Sequence, residues 1–242
     1  MNTLGIIGGL GPMATAYFLE LIVRMTAAER DQDHLPSITL NLPGIPDRTA
    51  YVFDHSLESP VPRLMAAAKT LEGLGACAIA VPCVTSHCFY EELAASVSIP
   101  WLNAVTETAR TLKEEGVRRA GILATSGTVR TGLFQRALEE AGIGWEIPDE
   151  RGQADVMHLI YQNVKAGKPV ELPVFERVAA SLRERGCEAL ILGCTELSLI
   201  KRDYPVGGDC LDVLEVLARA AVRQCGKAIW PQWERLLGRE RE

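Results

Sequence analysis

Residues 71–83 have the sequence LEGLGACAIAVPC, and residues 182–194 have the similar sequence LRERGCEALILGC. In each stretch a helix-like segment passes through glycine into a short apolar run, and that run ends in cysteine, at Cys83 and at Cys194. Glycine commonly ends a helix, and a short apolar run between turns is typical of a buried strand. The repeat predicts two lobes of similar structure, each with a thiol at the carboxyl end of a strand.

Outside this repeat, short apolar runs alternate with longer segments of helical spacing. The predicted strands are Leu4–Ile7, Ser37–Leu42, Ala78–Val81, Ala120–Ala124 and Ala189–Leu192. The predicted helices are Ala14–Glu29, Pro60–Leu74, Trp101–Glu115, Gly132–Ala141, Pro173–Arg185 and Leu211–Cys225. This alternation predicts an α/β protein with two pseudo-symmetric lobes, each a parallel sheet flanked by helices, and a site between them.

The division of the chain follows from the same pattern. We expect residues 1–100 together with 209–242 to form the first lobe, and residues 101–208 to form the second. The tail at 228–237 contains Trp230 and Trp233 as well as two leucines. It either packs on the body of the protein or forms an interface, because exposed Trp and Leu together would be unusual.

Composition places the chain among ordinary globular proteins and excludes several classes of partner. Its 242 residues are 48% hydrophobic and 23% charged, with a formal charge of −6. No basic cluster is present, which argues against nucleic acid and anionic membranes as partners. The start of the chain does not resemble a signal peptide, and the seven cysteines are an odd number. Both features predict a cytoplasmic protein with free thiols.

The position of Cys83 and Cys194 favours chemistry. Ligands of open parallel sheets gather beyond the carboxyl ends of the strands, where both cysteines are predicted to lie. Two thiols on opposite sides of one ligand suit the transfer of a proton from one face of a carbon to the other. Buried cysteine can also act as a small hydrophobic residue, which is our interpretation of Cys77, Cys187, Cys210 and Cys225.

The sequence gives less support to two other kinds of site, one for a metal ion and one for a nucleotide cofactor. Cys83, His87 and Cys88 lie close together in sequence, but no second pair completes a four-ligand zinc site, so we expect no metal. The turn at residues 8–12 lacks the G-x-G-x-x-G pattern, so we expect no nucleotide cofactor. Its backbone N–H groups could instead bind a carboxylate, although a tight turn without a ligand remains the alternative.

Several motifs together carry a resemblance to a known family. They are Gly8-Gly9-Leu10-Gly11-Pro12, Asp31-Gln32-Asp33-His34, Ile45-Pro46-Asp47-Arg48-Thr49, Pro82-Cys83-Val84-Thr85-Ser86-His87, Leu123-Ala124-Thr125, Val164-Lys165-Ala166-Gly167 and Gly193-Cys194-Thr195-Glu196-Leu197. Their order and spacing make chance agreement improbable. The chain resembles the cofactor-independent aspartate/glutamate racemase family over nearly all of its length.

This resemblance implies the roles of individual residues. Cys83 and Cys194 would be the two acid/base catalysts, one removing the proton from Cα and the other returning a proton to the opposite face. Arg48, with help from Lys165, would bind the side-chain carboxylate of the substrate. Groups that would hold the α-carboxylate and ammonium are the turn at Leu10 and Gly11, with Thr85, Thr125 and Thr195. Glu196 would tune the second thiol or contact the amino group. The resemblance also implies a homodimer.

Arg48 and Lys165 have simpler interpretations as well. Arg48 could be solvated or form a structural ion pair with Asp47 or Asp33, and Lys165 could be an exposed helix residue. One position also departs from the family pattern, because the family usually has Asn after the first cysteine and Val84 stands there. Valine neither donates nor accepts a hydrogen bond, so either another group replaces the amide or the preferred ligand differs.

We therefore predict racemisation of an acidic amino acid without pyridoxal phosphate, metal or nucleotide. One alternative is a related enzyme such as a maleate isomerase, a hydantoin racemase or an arylmalonate decarboxylase. The motif at 45–49 favours the aspartate/glutamate branch over these. The other alternative is a ligand-binding protein that has lost turnover, for which Val84 is the only indication.

Overall fold

The structure is a computed structural model that describes residues 2–238. Its strands are β1 (Thr3–Gly8), β2 (Ser37–Asn41), β3 (Ala76–Ala80), β4 (Arg119–Leu123), β5 (Gly144–Glu146), β6 (Ala189–Leu192) and β7 (Cys210–Asp212). Its α-helices are α1 (Pro12–Met25), α2 (Arg48–Phe53), α3 (Val61–Gly73), α4 (Tyr90–Ala94), α5 (Ala104–Glu114), α6 (Ser126–Arg130), α7 (Leu133–Ala141), α8 (Glu150–His158), α9 (Leu172–Glu184), α10 (Thr195–Asp203) and α11 (Val213–Gln224). Short 3₁₀ helices cover Asp31–Asp33, Val84–Phe89 and Pro231–Trp233, and a π-helical segment covers Leu159–Val164.

The strands form two parallel sheets. The first has the order β2-β1-β3, in which Ile6 pairs with Thr39 on one side and with Ala80 on the other. The second has the order β5-β4-β6-β7, in which Ile122 pairs with Ile191. Two parallel sheets with helices packed on them confirm the predicted α/β fold.

Alternate residues of the central strands lie in different cores. Ile6 and Ile122 belong to a core that both sheets share, together with residues of α1, α5 and α11. Their neighbours Ile7 and Leu123 face the other way, each into a core of its own lobe. Because side chains alternate along a strand, a strand buried on both faces needs a continuous apolar run. The apolar runs therefore predicted these strands correctly.

Two glycines allow the backbone to pass close to neighbouring residues in the turns that follow β1 and β6. Gly9 follows β1 with a φ of 92°, and a Cβ there would lie 2.5 Å from the backbone nitrogen of Leu42. Gly193 follows β6, and a Cβ there would lie 2.7 Å from the ring of Phe134. A larger residue at either position would push the turn away from its neighbour.

The pattern of the sequence did not predict β5 or β7, which are each three residues long. β7 pairs with β6 in the second sheet, and the predicted helix from Leu211 begins at Val213 instead. α11 packs against α1 and α5. The predicted domain boundaries, 1–100 with 209–242 and 101–208, stay a prediction.

The tail packs on the body of the protein. Thr26 and Ile229 form an antiparallel bridge, and the backbone nitrogen of Trp230 donates to the carbonyl of Met25 at 3.0 Å. Trp233 and Leu236 are buried in the shared core. No helix within residues 2–238 is both long and apolar enough to cross a membrane.

Candidate active site

Cys83 and Cys194 occupy equivalent places beyond the carboxyl ends of β3 and β6. Each precedes a helix, the 3₁₀ helix Val84–Phe89 for Cys83 and α10 for Cys194. Each cysteine is 6% exposed, and both line one chamber. The structure therefore brings together two residues that are far apart in the chain, at the end of the sheets where ligands of parallel sheets bind.

The chamber is small and contains nearly every predicted site residue. Its free volume is about 10 Å³, close to the least that holds a single water. The predicted residues that line it are Leu10, Arg48, Cys83, Val84, Thr85, Thr125, Lys165, Cys194, Thr195 and Glu196. Gly11 does not line it but faces an adjoining groove, where a Cβ on Gly11 would lie 3.1 Å from Oε1 of Glu196.

Cys194 is paired with a buried carboxylate. Its thiol donates to Oε2 of Glu196 at 2.9 Å, and the hydroxyl of Thr195 donates to the same oxygen at 3.3 Å. Burial raises the pKa of Cys194 well above its usual value, and the negative charge of Glu196 raises it further. Cys194 is therefore a protonated thiol in this arrangement.

Arg48 begins α2 and lies buried against three backbone carbonyl groups. One terminal nitrogen donates to Ile45 at 3.3 Å and to Pro46 at 3.0 Å, and the other donates to Leu10 at 2.9 Å. Its Nε is buried and has no hydrogen-bond partner. A buried N–H without an acceptor is costly, so this donor is available to an anionic ligand or to the sulfur of Cys83, with which the Arg48 side chain also interacts.

The charged form of Arg48 is stabilised by its surroundings and not by a structural ion pair. Burial lowers the pKa of Arg48, but Cys83, Asp47 and Glu196 raise it, and the net pKa lies above the usual value. The carboxylate of Asp47 instead accepts a hydrogen bond from the backbone of Ala50 at 2.8 Å and caps α2. Asp33 is likewise occupied, by an exposed ion pair with Arg30.

Lys165 completes the charged part of the chamber. It follows the π-helical segment Leu159–Val164, a wide turn of a kind often found at functional sites. Its Nζ lies 3.6 Å from Oε1 of Glu196 and 4.8 Å from the centre of the Tyr161 ring. Burial lowers the pKa of Lys165, but the carboxylate of Glu196 raises it above the usual value. Lys165 is thus a partly covered cation that faces the chamber.

Threonine hydroxyls from both lobes meet at the chamber. Oγ1 of Thr85 lies 3.3 Å from Oγ1 of Thr125 and 3.1 Å from Oγ1 of Thr128. Thr49 donates to Thr125 at 3.4 Å, and Thr125 also accepts the backbone N–H of Thr128 at the start of α6. These hydroxyls can donate to a carboxylate, because each hydroxyl can rotate its proton toward a better acceptor.

His87 supports the turn that carries Cys83. The backbone of Ala104 donates to its Nε2 at 3.1 Å, so Nδ1 carries the proton and donates to the carbonyl of Cys83 at 3.2 Å. Burial lowers the pKa of His87, which favours this neutral form. The ring of His87 therefore links the turn at Cys83 to the start of α5 through hydrogen bonds.

Within residues 2–238 no three His, Cys, Asp or Glu side chains are grouped to hold a metal ion.

Three residues of the chamber were not among the predicted site residues. They are Asp47, Thr49 and Tyr161. The first two flank Arg48 inside a motif already singled out, so their place beside Arg48 could have indicated them. Tyr161 lies four residues before Lys165 on the same wide turn. Helical spacing from Lys165 was the only sequence feature that pointed to Tyr161.

The solved structures of known proteins include similar folds. An aspartate racemase from Picrophilus torridus superimposes with a TM-score of 0.85 and 33% identity, over 96% of this chain and 98% of that one. A glutamate racemase from Thermus thermophilus, bound to β-chloro-D-alanine, has a TM-score of 0.59 and 22% identity, over 92% of this chain and 79% of that one. The second likeness shows the fold alone.

Sequence comparison gives the same family. The broad specificity amino-acid racemase RacX of Bacillus subtilis strain 168 is 25% identical over 228 residues, which are 90% of this chain and 96% of that protein. The profile of the family described as Asp/Glu/hydantoin racemase matches residues 7–221. The chain therefore belongs to the Asp/Glu/hydantoin racemase family and is an isomerase, an amino-acid racemase.

Proposed function

We propose that this protein racemises an acidic amino acid, aspartate or glutamate, by proton transfer at Cα between Cys83 and Cys194, without pyridoxal phosphate, metal or nucleotide. The observation that carries the proposal is the meeting of both thiols in one chamber. A racemase must remove a proton from one face of Cα and supply a proton to the other. Two thiols from two lobes can serve the two faces.

The surroundings of the two cysteines assign them different resting roles. Cys194 is held as a thiol that donates to Glu196, so it is the proton donor when Cys83 acts first. Cys83 lies beside the buried guanidinium of Arg48, so a negative charge on its sulfur would be paired. In one direction Cys83 takes the α-proton and Cys194 returns one from the opposite face. The reverse direction exchanges the two roles.

Arg48, Lys165 and Glu196 line both the chamber and the wider groove beside it, and their charges suit a substrate with two carboxylates and one ammonium. Nε of Arg48 offers a free donor to the side-chain carboxylate, and the cation of Lys165 lies nearby. The hydroxyls of Thr85 and Thr125 and the turn at Leu10 can hold the α-carboxylate. Glu196 can accept from the α-ammonium as well as from Cys194. The likeness to an aspartate racemase at 33% identity supports the acidic substrate.

Neutral or basic amino acids are the second candidate substrates. Val84 lines the chamber where the family pattern has an amide, and RacX is named for a broad specificity. A chamber that has lost one polar contact would discriminate less between side chains. We propose acidic substrates first because Arg48 and Lys165 both face the chamber.

We also propose a cytoplasmic homodimer. All seven cysteines are free, which suits a reducing compartment. The dimer rests on the family resemblance, and light scattering of the purified protein would test it. A mass of one chain at micromolar concentration would contradict it.

Solvent isotope exchange tests the reaction. The purified protein would be incubated in deuterium oxide, without added cofactor, with each enantiomer of aspartate, glutamate, alanine and lysine. Mass spectrometry would then detect deuterium at Cα, and chiral chromatography the opposite enantiomer. We expect both signals with aspartate or glutamate, because the α-proton must pass through a thiol that exchanges with solvent. No exchange with any acidic amino acid in folded protein would refute the acidic assignment, and no exchange with the whole panel would refute these amino acids as substrates.

A further inference from the structure

A second pair of cysteines meets at the other end of the first sheet. Sγ of Cys77 lies 3.6 Å from Sγ of Cys225. Cys77 is near the start of β3, and Cys225 follows the last residue of α11. No other two cysteine sulfurs within residues 2–238 make such a contact. The pair is remote from the chamber, because Cys83 lies beyond the opposite end of β3.

The surroundings of the pair hold it in place. Both residues pack in the shared core, and the side chain of Asn2 donates to the carbonyl of Cys225 at 3.1 Å. The two positions are 148 residues apart in the chain, so the contact exists only in the folded protein. Two sulfurs this close need a movement of less than about 1 Å each to reach the length of a disulfide bond.

We propose that Cys77 and Cys225 are a redox modification site, at which a small-molecule disulfide such as oxidised glutathione converts the two thiols to a disulfide bond. Racemisation in the chamber uses neither residue, so the site is independent of the proposed function. Cys77 is half-buried, whereas Cys225 is 2% exposed. The accessible Cys77 is therefore the sulfur that meets the oxidant first.

The reaction is two successive thiol–disulfide exchanges. The thiolate of Cys77 attacks one sulfur of oxidised glutathione, the glutathione S–S bond breaks, and one glutathione leaves and takes up a proton. Cys225 then gives up its proton and attacks the sulfur of Cys77, which releases the second glutathione. The protein loses two electrons and two protons, and oxidised glutathione becomes two reduced molecules. Burial and the neighbouring Cys77 raise the pKa of Cys225 to about 12, so this second exchange is the slow one.

The bond would link β3 to the end of α11. α11 packs against α1 and α5 in the shared core, so the link would restrain a helix of that core. A cross-link between positions far apart in the chain mainly restricts the unfolded state. We therefore expect higher thermal stability and little change in racemisation, because the chamber lies at the other end of the strands.

Peptide mapping of the full-length protein tests the site. The folded protein would be equilibrated with mixtures of reduced and oxidised glutathione, and remaining thiols alkylated under denaturing conditions. Trypsin then releases residues 224–227, which contain Cys225, and residues 70–110, which contain Cys77, Cys83 and Cys88. We expect these two peptides to be joined, with Cys83 and Cys88 alkylated in the joined product. Reduction should separate them.

Variants and melting curves give a second readout. The link should disappear in Cys77→Ala and in Cys225→Ala but persist in Cys88→Ala, a control on the same tryptic peptide. The oxidised parent should melt about 5–10 °C above the reduced parent. Two alkylated thiols at every glutathione ratio, or glutathione that stays on Cys77 without transfer, would overturn the proposal. The mapping of the parent decides the question even where a variant does not fold.

Discussion

The thiol of Cys194 donates a hydrogen bond to the carboxylate of Glu196 across 2.9 Å in a buried part of the molecule. Cys194 directly precedes α10 and Glu196 is the second residue of that helix, so local geometry holds the pair together. A negative charge beside a thiol opposes its ionisation. This pair gives Cys194 a resting protonation state, and it makes the pH dependence of turnover a test of the site.

Replacing Glu196 with Gln should shift that pH dependence. Glu196 raises the pKa of Cys194, so an uncharged amide should lower it, although burial remains the largest cause of the raised value. For the enantiomer that needs Cys194 as a thiol, the alkaline limb of kcat/KM should move to lower pH. For the opposite enantiomer, which needs the thiolate, activity should begin at lower pH.

Glu196→Asp is the matched control, because it keeps the negative charge at a slightly different reach. Its alkaline limb should stay nearer to that of the parent. Profiles of kcat/KM against pH, measured for both enantiomers, make the comparison. An unchanged limb in Glu196→Gln would show that Cys194 does not titrate in turnover.

Replacing either chamber cysteine with Ser should abolish racemisation. A serine hydroxyl is a far weaker acid than a thiol, and general acid–base groups typically contribute about 10²–10⁴-fold to rate. Cys83→Ser and Cys194→Ser should each lose at least that much in a chiral assay. Each variant should still exchange the α-proton of the enantiomer served by its remaining cysteine.

Cys187→Ala is the control for this series, because Cys187 is buried but packs in the outer core of the second lobe. It should racemise at close to the parental rate. Near-parental racemisation by Cys83→Ser or by Cys194→Ser would show that the replaced cysteine is not a catalyst.

Arg48→Lys should weaken acidic substrates more than neutral ones. The guanidinium uses two nitrogens on three carbonyls and still offers Nε, whereas an ammonium has only three donors and no planar fork. We expect KM for aspartate to rise about 10- to 100-fold, the cost of a lost charged hydrogen bond, with a smaller change for alanine.

Arg63→Lys makes a suitable comparison, because exposed Arg63 also donates to a loop carbonyl, that of Gly44, at 2.8 Å. Its substrate preference should match that of the parent. Thermal melting would report any loss of folding in Arg48→Lys. Equal losses for aspartate and alanine would indicate that Arg48 serves the fold and not the side chain of the substrate.

Val84→Asn tests the departure from the family pattern. Val84 is 3% exposed and packs in the shared core, so an amide there would have to find partners inside the chamber. We expect kcat/KM on the preferred substrate to fall about tenfold, since a poorly paired buried amide costs at least ~1.4 kcal/mol. Val84→Ala controls for lost volume without adding a polar group. A gain on aspartate or glutamate would show that the site has only lost one contact.

The sequence by itself determined the strands that carry the cysteines. Runs such as Ala189–Leu192 are short and apolar at every position, as a strand buried on both faces requires, and β6 has these bounds. The repeat placed Cys83 and Cys194 at equivalent strand ends, and the structure has them there. These features depend on local pattern, so they could be recognised without knowing how the lobes pack. The short strands β5 and β7 could not, because three residues hold too little pattern.

Tertiary structure alone decided the contacts between segments. It placed Tyr161 in the chamber and Gly11 in the groove beside it. It also brought Cys77 to within 3.6 Å of Cys225, a residue 148 positions away. Such distances depend on how helices pack between two sheets, and packing is a property of the whole core. A pattern within one segment carries no information about which distant side chain that segment will meet.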